Sequence, residues 1–281
     1  MSDAILSGDA GDVTHPWRRL KRAAGEAAFD ALDRVALTAR RVERLAAAQA
    51  PREILVTGVY RPGSLLPAGL EALRSPIHRV RLAFGATGDA DPRLADNTVR
   101  EHLHDGKFEN LNAVLSAARD ASVFDWILVV DDDIALPSAF LDGFVALCER
   151  FSLDLAQPAQ SLRSHSAWKV TRRRPLSLVR ETRFVEIGPL TAFSSRAAAE
   201  LLPFPELRFG WGLDLHWAAL GAQRGWRLGV VDALAVRHET GLVASGYSSG
   251  DAEAEAERFL ADRPYLPSKR AADVLAAHRR A

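Results

Sequence analysis

From Trp17 to about Ala50, apolar or small residues recur at alternating steps of three and four: Leu20, Ala24, Ala27, Ala31, Val35, Thr38, Val42 and Leu45. That spacing predicts one amphipathic helix with a single apolar stripe. Pro51 ends it, and the period shortens. Residues 53–60 form a short run of β-formers that stops at the turn signal Arg61-Pro62-Gly63. Residues 66–74 read as helix, 78–85 as a second strand, about 110–120 as helix and 125–130 as a third strand. The apolar run in that third strand is unbroken, which predicts burial on both faces. A helix at about 138–150, a strand near 153–158 and mixed strands and loops over 162–195 follow. Helices at 196–202 and 213–224, a strand over 226–236 and a mobile tail holding a charged helix complete the reading. Strands separated by helices predict an α/β fold with a mixed, mainly parallel sheet flanked by helices. The chain then divides into an N-terminal helical extension (1–50), a catalytic-type α/β domain (51–245) and a C-terminal tail and helix (246–281).

Composition narrows the class. The 281 residues carry 36 Lys plus Arg against 36 Asp plus Glu, so the overall field gives no reason to expect nucleic acid as partner. One cysteine, Cys148, excludes an internal disulfide and a Cys-rich zinc site and suits a reducing compartment. The longest apolar runs fall far short of a spanning helix. The N-terminus, small, polar and acidic over 1–15 and expected to fray, has no secretory pattern; the expected location is cytoplasmic. Residues 16–50 hold eight Lys/Arg against four Asp/Glu. That helix packs on the main body or on a second copy as a homodimer, or lies as a basic helix on an anionic membrane; its Ala-rich stripe favours close helix packing.

Three groups of residues could do chemistry. Asp131, Asp132 and Asp133 follow the apolar strand directly. Three adjoining carboxylates repel one another unless something cationic offsets them. In extended chain Asp131 and Asp133 share a side and Asp132 turns away, so the pair suits Mg²⁺ or Mn²⁺, while a solvated acidic turn or N-cap cluster is the plainer alternative. Open α/β sheets bind ligands beyond the carboxyl ends of their strands, where this triplet lies. The second group is Phe209-Gly210-Trp211-Gly212-Leu213-Asp214. Its glycines allow close approach to a ligand and Asp214 could act as general base, or else Asp214 caps its helix and Trp211 fills the core. The third is His238, just past a strand, either a ligand favouring Mn²⁺ or an ordinary hydrogen-bonded histidine. His102 and His104 form an H-x-H with no second ligand pair, which reads as surface loop. The stretch 163–183 holds seven Lys/Arg against Glu181 alone. It is either a solvated basic loop or a contact for donor phosphate, an anionic acceptor or lipid headgroups. Walker-type, G-x-G-x-x-G and G-x-S-x-G patterns are absent.

Taken together, the strand-terminal D-x-D (Asp131, Asp133), the later G-W-G-x-D block (Gly210–Asp214), His238, and Gly106-Lys107-Phe108-Glu109-Asn110 ahead of the D-x-D resemble the GT-A type of nucleotide-sugar-dependent glycosyltransferase over roughly residues 52–240. The resemblance implies a Rossmann-like GT-A sheet and a hexosyltransferase-like enzyme that uses Mn²⁺ or Mg²⁺. The sugar would pass from a nucleotide diphosphate sugar to a hydroxyl of a saccharide, lipid-linked or small-molecule acceptor, with peripheral membrane contact as one setting. It places Thr57, Val59, Tyr60 and Arg61 at the nucleotide base and ribose, and Lys107 and Asn110 near the nucleotide or donor sugar. Asp131, Asp132 and Trp211 join that donor site. Asp131, Asp133 and His238 are the implied metal ligands and Asp214 the implied base. Leu213 stands where many inverting members carry a Glu before the Asp. Residues 241–250 could form a lid. The competing readings are a haloacid-dehalogenase-type phosphatase, a nucleotidyltransferase, and a sugar-nucleotide-binding module without turnover.

Overall fold

The computed structural model describes residues 15–118, 123–164, 166–239 and 248–280. The expected fraying of the first residues, the end of the 110–120 helix and most of the 241–250 lid lie outside these.

The predicted 17–50 helix is two helices, α1 (Pro16–Val35) and α2 (Thr38–Ala48), broken where Leu37 takes a left-handed φ of 56°. The break splits the predicted stripe. Thr38 and Val42 of α2 are buried and Leu45 packs on the core, whereas Leu20, Ala24, Ala27, Ala31 and Val35 of α1 face solvent. The side of α1 turned to the body is polar: Glu26, Asp30 and Asp33 all meet the Arg173 guanidinium, at 2.5, 2.6 and 2.7 Å. Ion pairing to Arg173 and hydrogen bonds from the Leu162 and Leu176 N–H groups to Glu26 and Asp33 hold this helix.

The body then runs through β1 (Glu53–Tyr60), the one-turn helix α3 (Leu66–Gly69) with a 3₁₀ turn over Leu70–Leu73, β2 (Arg79–Ala86), β3 (Thr98–Arg100) and α4 (Lys107–Ala118). Next come β4 (Trp126–Val130), the two-residue β5 (Ile134–Ala135), α5 (Phe140–Arg150), β6 (Leu155–Gln160), β7 (Val179–Thr182) and β8 (Leu190–Ser194). The chain continues with α6 (Ser195–Leu201), α7 (Leu213–Arg224), β9 (Leu228–His238), α8 (Ser249–Leu260), α9 (Ser268–Ala271) and β10 (Val274–His278). The sheet order is β10-β7-β9-β6-β8-β4-β1-β2-β3, with β5 paired to β9 alone. Along that path β7 and β8 run against the others, so the sheet is mixed with most strands pointing one way.

Period-two alternation in the central strands feeds two cores, as expected for a sheet covered on both faces. Ile54, Val56, Leu128 and Val130 join α2 and α5 on one side, while Leu55, Ile127 and Val129 join α4, α7 and α8 on the other. The expected mobile tail is, over 248–280, largely ordered structure: Ala252, Ala256, Phe259 and Leu260 of α8 are buried, and β10 pairs antiparallel with β7. In the basic stretch Arg163, Lys169 and Arg174 are exposed, while other members are engaged within the protein. Arg173 holds α1. Arg180 is fully buried, its Nε and NH2 donating to Asp232 at 2.8 and 2.9 Å, and Arg172 Nε donates to Ser166.

Candidate active site

The site is built where β4 ends. Parallel pairing sets β4 beside β1, and Gly58 lies so close that a Cβ there would come 2.3 Å from the Val130 carbonyl oxygen. Three aspartates follow; the chain turns at Asp132 and Asp133, and their side chains part. Asp132 turns back beneath β1, where it accepts from the Arg61 backbone N–H (2.8 Å), Nε (3.0 Å) and NH2 (2.7 Å). Asp131 and Asp133 face the other way. Lys107, the first residue of α4, places Nζ 2.7 Å from Asp131 Oδ1, and any side chain at Gly188 would come 2.7 Å from Asp131 Oδ2.

His238 arrives through the sheet. It is the last residue of β9, two past the predicted strand end, and stands opposite Ile134 of β5, immediately after Asp133. The Glu239 N–H donates to the Asp133 carbonyl (2.9 Å) and the His238 N–H to Ser164 Oγ (3.0 Å). The ring's Nε2 therefore sits 2.9 Å from Asp133 Oδ1. One ligand atom from each of Asp131, Asp133 and His238 lies within 4.8 Å of the others. Burial opposes charge on His238, yet the hydrogen bond to Asp133 and the charges of Asp133 and Asp131 outweigh it and raise its pKa. The same concentration of negative charge marks a place suited to a cation. Two carboxylates and one imidazole form a hard, oxygen-rich donor set that fits Mn²⁺ or Mg²⁺.

Asp214 enters at the start of α7, after Gly210 (φ 78°) and Gly212 (φ 85°), both in the left-handed region that favours glycine. The segment is seated from two sides. Its Arg208 carbonyl accepts from the Lys107 N–H (3.2 Å), and the Glu255 carboxylate of α8 accepts from the N–H groups of Arg208, Phe209 and Gly210 at 2.8, 2.9 and 2.9 Å. Trp211 is half-buried against the second core. Asp214 is buried, and that burial pushes its carboxyl up to about 7, with the Leu215 and Asp214 N–H groups pulling the other way.

A second acid lies beside it. Glu186, between β7 and β8, accepts from Gln160 Nε2 (2.7 Å) and Thr171 Oγ1 (3.2 Å), and its N–H donates to Gln157 Oε1. Burial first, then the charge of Asp214, push it up to about 8; Asp131 adds to the rise, while the Thr171 hydrogen bond and Lys107 oppose it. Glu186 is thus within electrostatic reach of the D-x-D, Lys107 and Asp214. It is absent from the sequence reading, although a lone Glu between Val185 and Ile187, just before Gly188-Pro189, was its signal.

Several of the expected donor-contact side chains are engaged within the protein. Thr57 and Tyr60 are inside the core, with the Tyr60 hydroxyl bonded to Thr98 Oγ1 (2.8 Å) and accepting from the Asp91 N–H (3.1 Å). Asn110 is buried and closes the loop before α4 by exchanging two hydrogen bonds with the Asp105 backbone. Asp132 is engaged by Arg61. These four side chains are turned inward, toward the protein. Val59 is half-buried and Arg61 exposed at the mouth, with its NH2 3.7 Å from Asp133 Oδ2. His102 and His104 are exposed loop residues.

No protein-family model and no curated protein matches the sequence. Solved structures do. Staphylococcus aureus TarS (residues 1–349), solved in complex with UDP-GlcNAc, superposes with a TM-score of 0.51 at 16% identity, over 75% of this chain and 65% of its own. GalNAc-T7, solved with UDP, GalNAc and Mn²⁺, gives 0.47 at 12% identity over 71% and 45%, and a mycobacterial protein 0.47 at 18% over 72% and 72%. The chain spans less than two thirds of the TarS and GalNAc-T7 chains. At these identities the likeness speaks for architecture, and that architecture is the GT-A fold of nucleotide-sugar glycosyltransferases.

Proposed function

We propose that this protein is a metal-dependent glycosyltransferase that moves a sugar, in the first instance a hexose, from a nucleotide diphosphate sugar to an acceptor hydroxyl. The observation that carries the reading is the meeting of Asp131, Asp133 and His238 within 4.8 Å at the carboxyl end of β4, on a GT-A sheet. These three residues would hold the divalent ion, which when bound acts as a Lewis acid on the departing diphosphate. Lys107 adds a fixed positive charge on the same side and orients Asp131. Arg61, anchored by Asp132, brings a second cation to the mouth without reorganisation at the moment of reaction.

The acceptor end falls to two acids, the buried Asp214 and the half-buried Glu186. Asp214, with a pKa of about 7, is poised to take the acceptor hydroxyl's proton near neutral pH. Glu186, at about 8, still carries its proton when Asp214 is ionised, so its O–H can donate to a sugar oxygen. The half-buried Trp211 offers an apolar surface to a sugar ring. Thermal stabilisation by UDP, GDP, CDP and TDP, each with and without Mn²⁺, tests the reading. One diphosphate should stabilise the protein only with metal, and Asp133→Ala should abolish the effect. Stabilisation independent of metal, or by no nucleotide, overturns the proposal. Donor hydrolysis with the product anomer read by NMR then names the sugar and the stereochemical course.

A further inference from the structure

β7 buries a charge that takes no part in the proposed proton transfers. Arg180 is fully buried, as is the Asp232 carboxylate of β9 that pairs with it. Taking both charges out of water is expensive, and apolar residues of like volume would often join two strands as well. The guanidinium does more than meet Asp232. Its NH1 donates to the Val170 carbonyl at 2.6 Å and its NH2 to the Arg172 carbonyl at 2.7 Å, so four of its five N–H groups are engaged. Asp232 in turn accepts from the Arg174 N–H at 2.9 Å. One ion pair thus holds the backbone at 170, 172 and 174. The residue bracketed by the two gripped carbonyls is Thr171. It is buried, with its hydroxyl 2.9 Å from the Trp168 carbonyl and 3.2 Å from Glu186 Oε2. The same segment steadies the other contact of that oxygen: the Arg173 N–H donates to the Gln160 carbonyl (2.8 Å), and Gln160 Nε2 donates to Glu186 Oε2 (2.7 Å). Among the described residues both hydrogen bonds to this carboxyl are made at Oε2, so Oε1 is the oxygen open to a ligand.

We infer that Arg180 is a positioning residue for Glu186: by gripping the carbonyls on either side of Thr171 it fixes the hydroxyl and, through Arg173 and Gln160, the amide that together orient the Glu186 carboxyl. The inference rests on the reading of Glu186 as the group that donates to a sugar oxygen. A guanidinium suits the task because its planar fork aims donors at a carboxylate and at two carbonyls in fixed directions, whereas a Lys ammonium is a compact point charge on a flexible stem. A carboxyl held at one oxygen offers the other in a single direction, and misplacement of such a group by about 1 Å is enough to cost about a hundredfold in rate.

The test is donor hydrolysis by Arg180→Lys, which keeps the charge beside Asp232 and loses the fork, and by Thr171→Val and Thr171→Ser, which probe the link and leave the ion pair intact. Each is measured alone and combined with Glu186→Ala. Arg180→Lys and Thr171→Val should lower kcat about 10- to 100-fold with KM changed less than about threefold. Thr171→Ser should recover most of the kcat lost in Thr171→Val. In the Glu186→Ala background the same substitutions should change kcat less than about twofold, because the group they act through is gone. Equal losses in both backgrounds overturn the inference. If Glu186→Ala leaves kcat unchanged, the role of Glu186 fails and the inference with it. Should Arg180→Lys not fold, equal kcat in Thr171→Val and Thr171→Ser overturns it instead. Amide hydrogen exchange read by mass spectrometry decides the link even if no nucleotide sugar is turned over, an outcome that counts against sugar transfer alone. Arg180→Lys, or Thr171→Val in its place, should speed exchange over both 168–174 and 184–188, and faster exchange confined to 168–174 refutes the connection to Glu186.

Discussion

The order in which Asp214 and Glu186 release their protons gives the active-site reading its sharpest test. The two lie at about 7 and about 8, and the charge of Asp214 is among the causes that raise Glu186. Asp214 therefore ionises first, against a neutral neighbour, and Glu186 loses its proton against an existing charge. If the working form needs Asp214 ionised and Glu186 protonated, kcat/KM follows a bell. With limbs near 7 and 8, ~60% of the protein is in the working form at the midpoint and ~10% at about pH 9. Glu186→Gln keeps a hydrogen-bond donor and removes the second ionisation. It should leave the acid limb near 7 and abolish the alkaline limb, so that activity at about pH 9 becomes roughly sevenfold higher relative to the optimum than in the parent protein. Asp214→Asn should lower kcat by about 10²–10⁴ and remove the acid limb. Stability gives an independent check. Both folded pKa values are raised, so the unfolded chain ionises first as pH rises from the ordinary carboxylate range towards 7–8, and folding weakens over that window. Glu186→Gln escapes its share of that loss and should melt a few degrees above the parent at about pH 8 but not at about pH 4. The assay is donor hydrolysis from about pH 5.5 to 9.5, beside melting curves over the wider range. A Glu186→Gln profile whose acid limb moves by a full pH unit, or an Asp214→Asn variant that keeps that limb, refutes the assignment.

Three further expectations follow from single contacts. Arg173→Ala strands the half-buried Glu26 and the buried Asp33 without their cation, a change of about 3–5 kcal/mol where such a pair is broken; trypsin should then cut within α1 while the rest of the chain stays folded. Gly210→Ala would put a Cβ 1.9 Å from the Phe108 ring at a φ of 78°, adding strain of about 1–2 kcal/mol to overpacking of about 1–3 kcal/mol. Its melting temperature should fall by several degrees, and an unchanged value would mean that the Gly210–Phe108 approach is not real. Glu255→Ala frees three backbone N–H groups ahead of Trp211; it should raise KM and lower kcat together, because Asp214 is carried on the same segment.

The legible parts of the fold and the opaque ones divide along a physical line. The unbroken apolar run over 125–130 implied a strand buried on both faces, and β4 is that strand; the two-residue period of extended chain implied that Asp132 would part company with Asp131 and Asp133, and it does so, though through a turn. Local pattern reports the direction of a side chain relative to its own backbone. It does not report what occupies the far side. The spacing Leu20–Val35 was helical, yet whether that stripe met the core depended on Leu37 turning left-handed and on an Arg 140 residues from Asp33 in sequence. Tyr60 and Asn110 look like ligand contacts in a linear text because they are polar residues at the ends of elements. Their partners, Thr98 and the Asp105 backbone, took them in the fold. Glu186 was missed for the converse reason. An acid among apolar neighbours reads as a surface residue of a strand until Gln160, Thr171 and Asp214 close around it, and only that enclosure shifts its proton affinity. His238 lies between these extremes: its type suggested a ligand, but the two-residue strand β5, too short to read from any pattern, is what sets it against Asp133. Chemistry at this sheet edge therefore depends on long-range pairing, and substitutions in β5 or at Gly188 should perturb the site although neither position carries a reactive group.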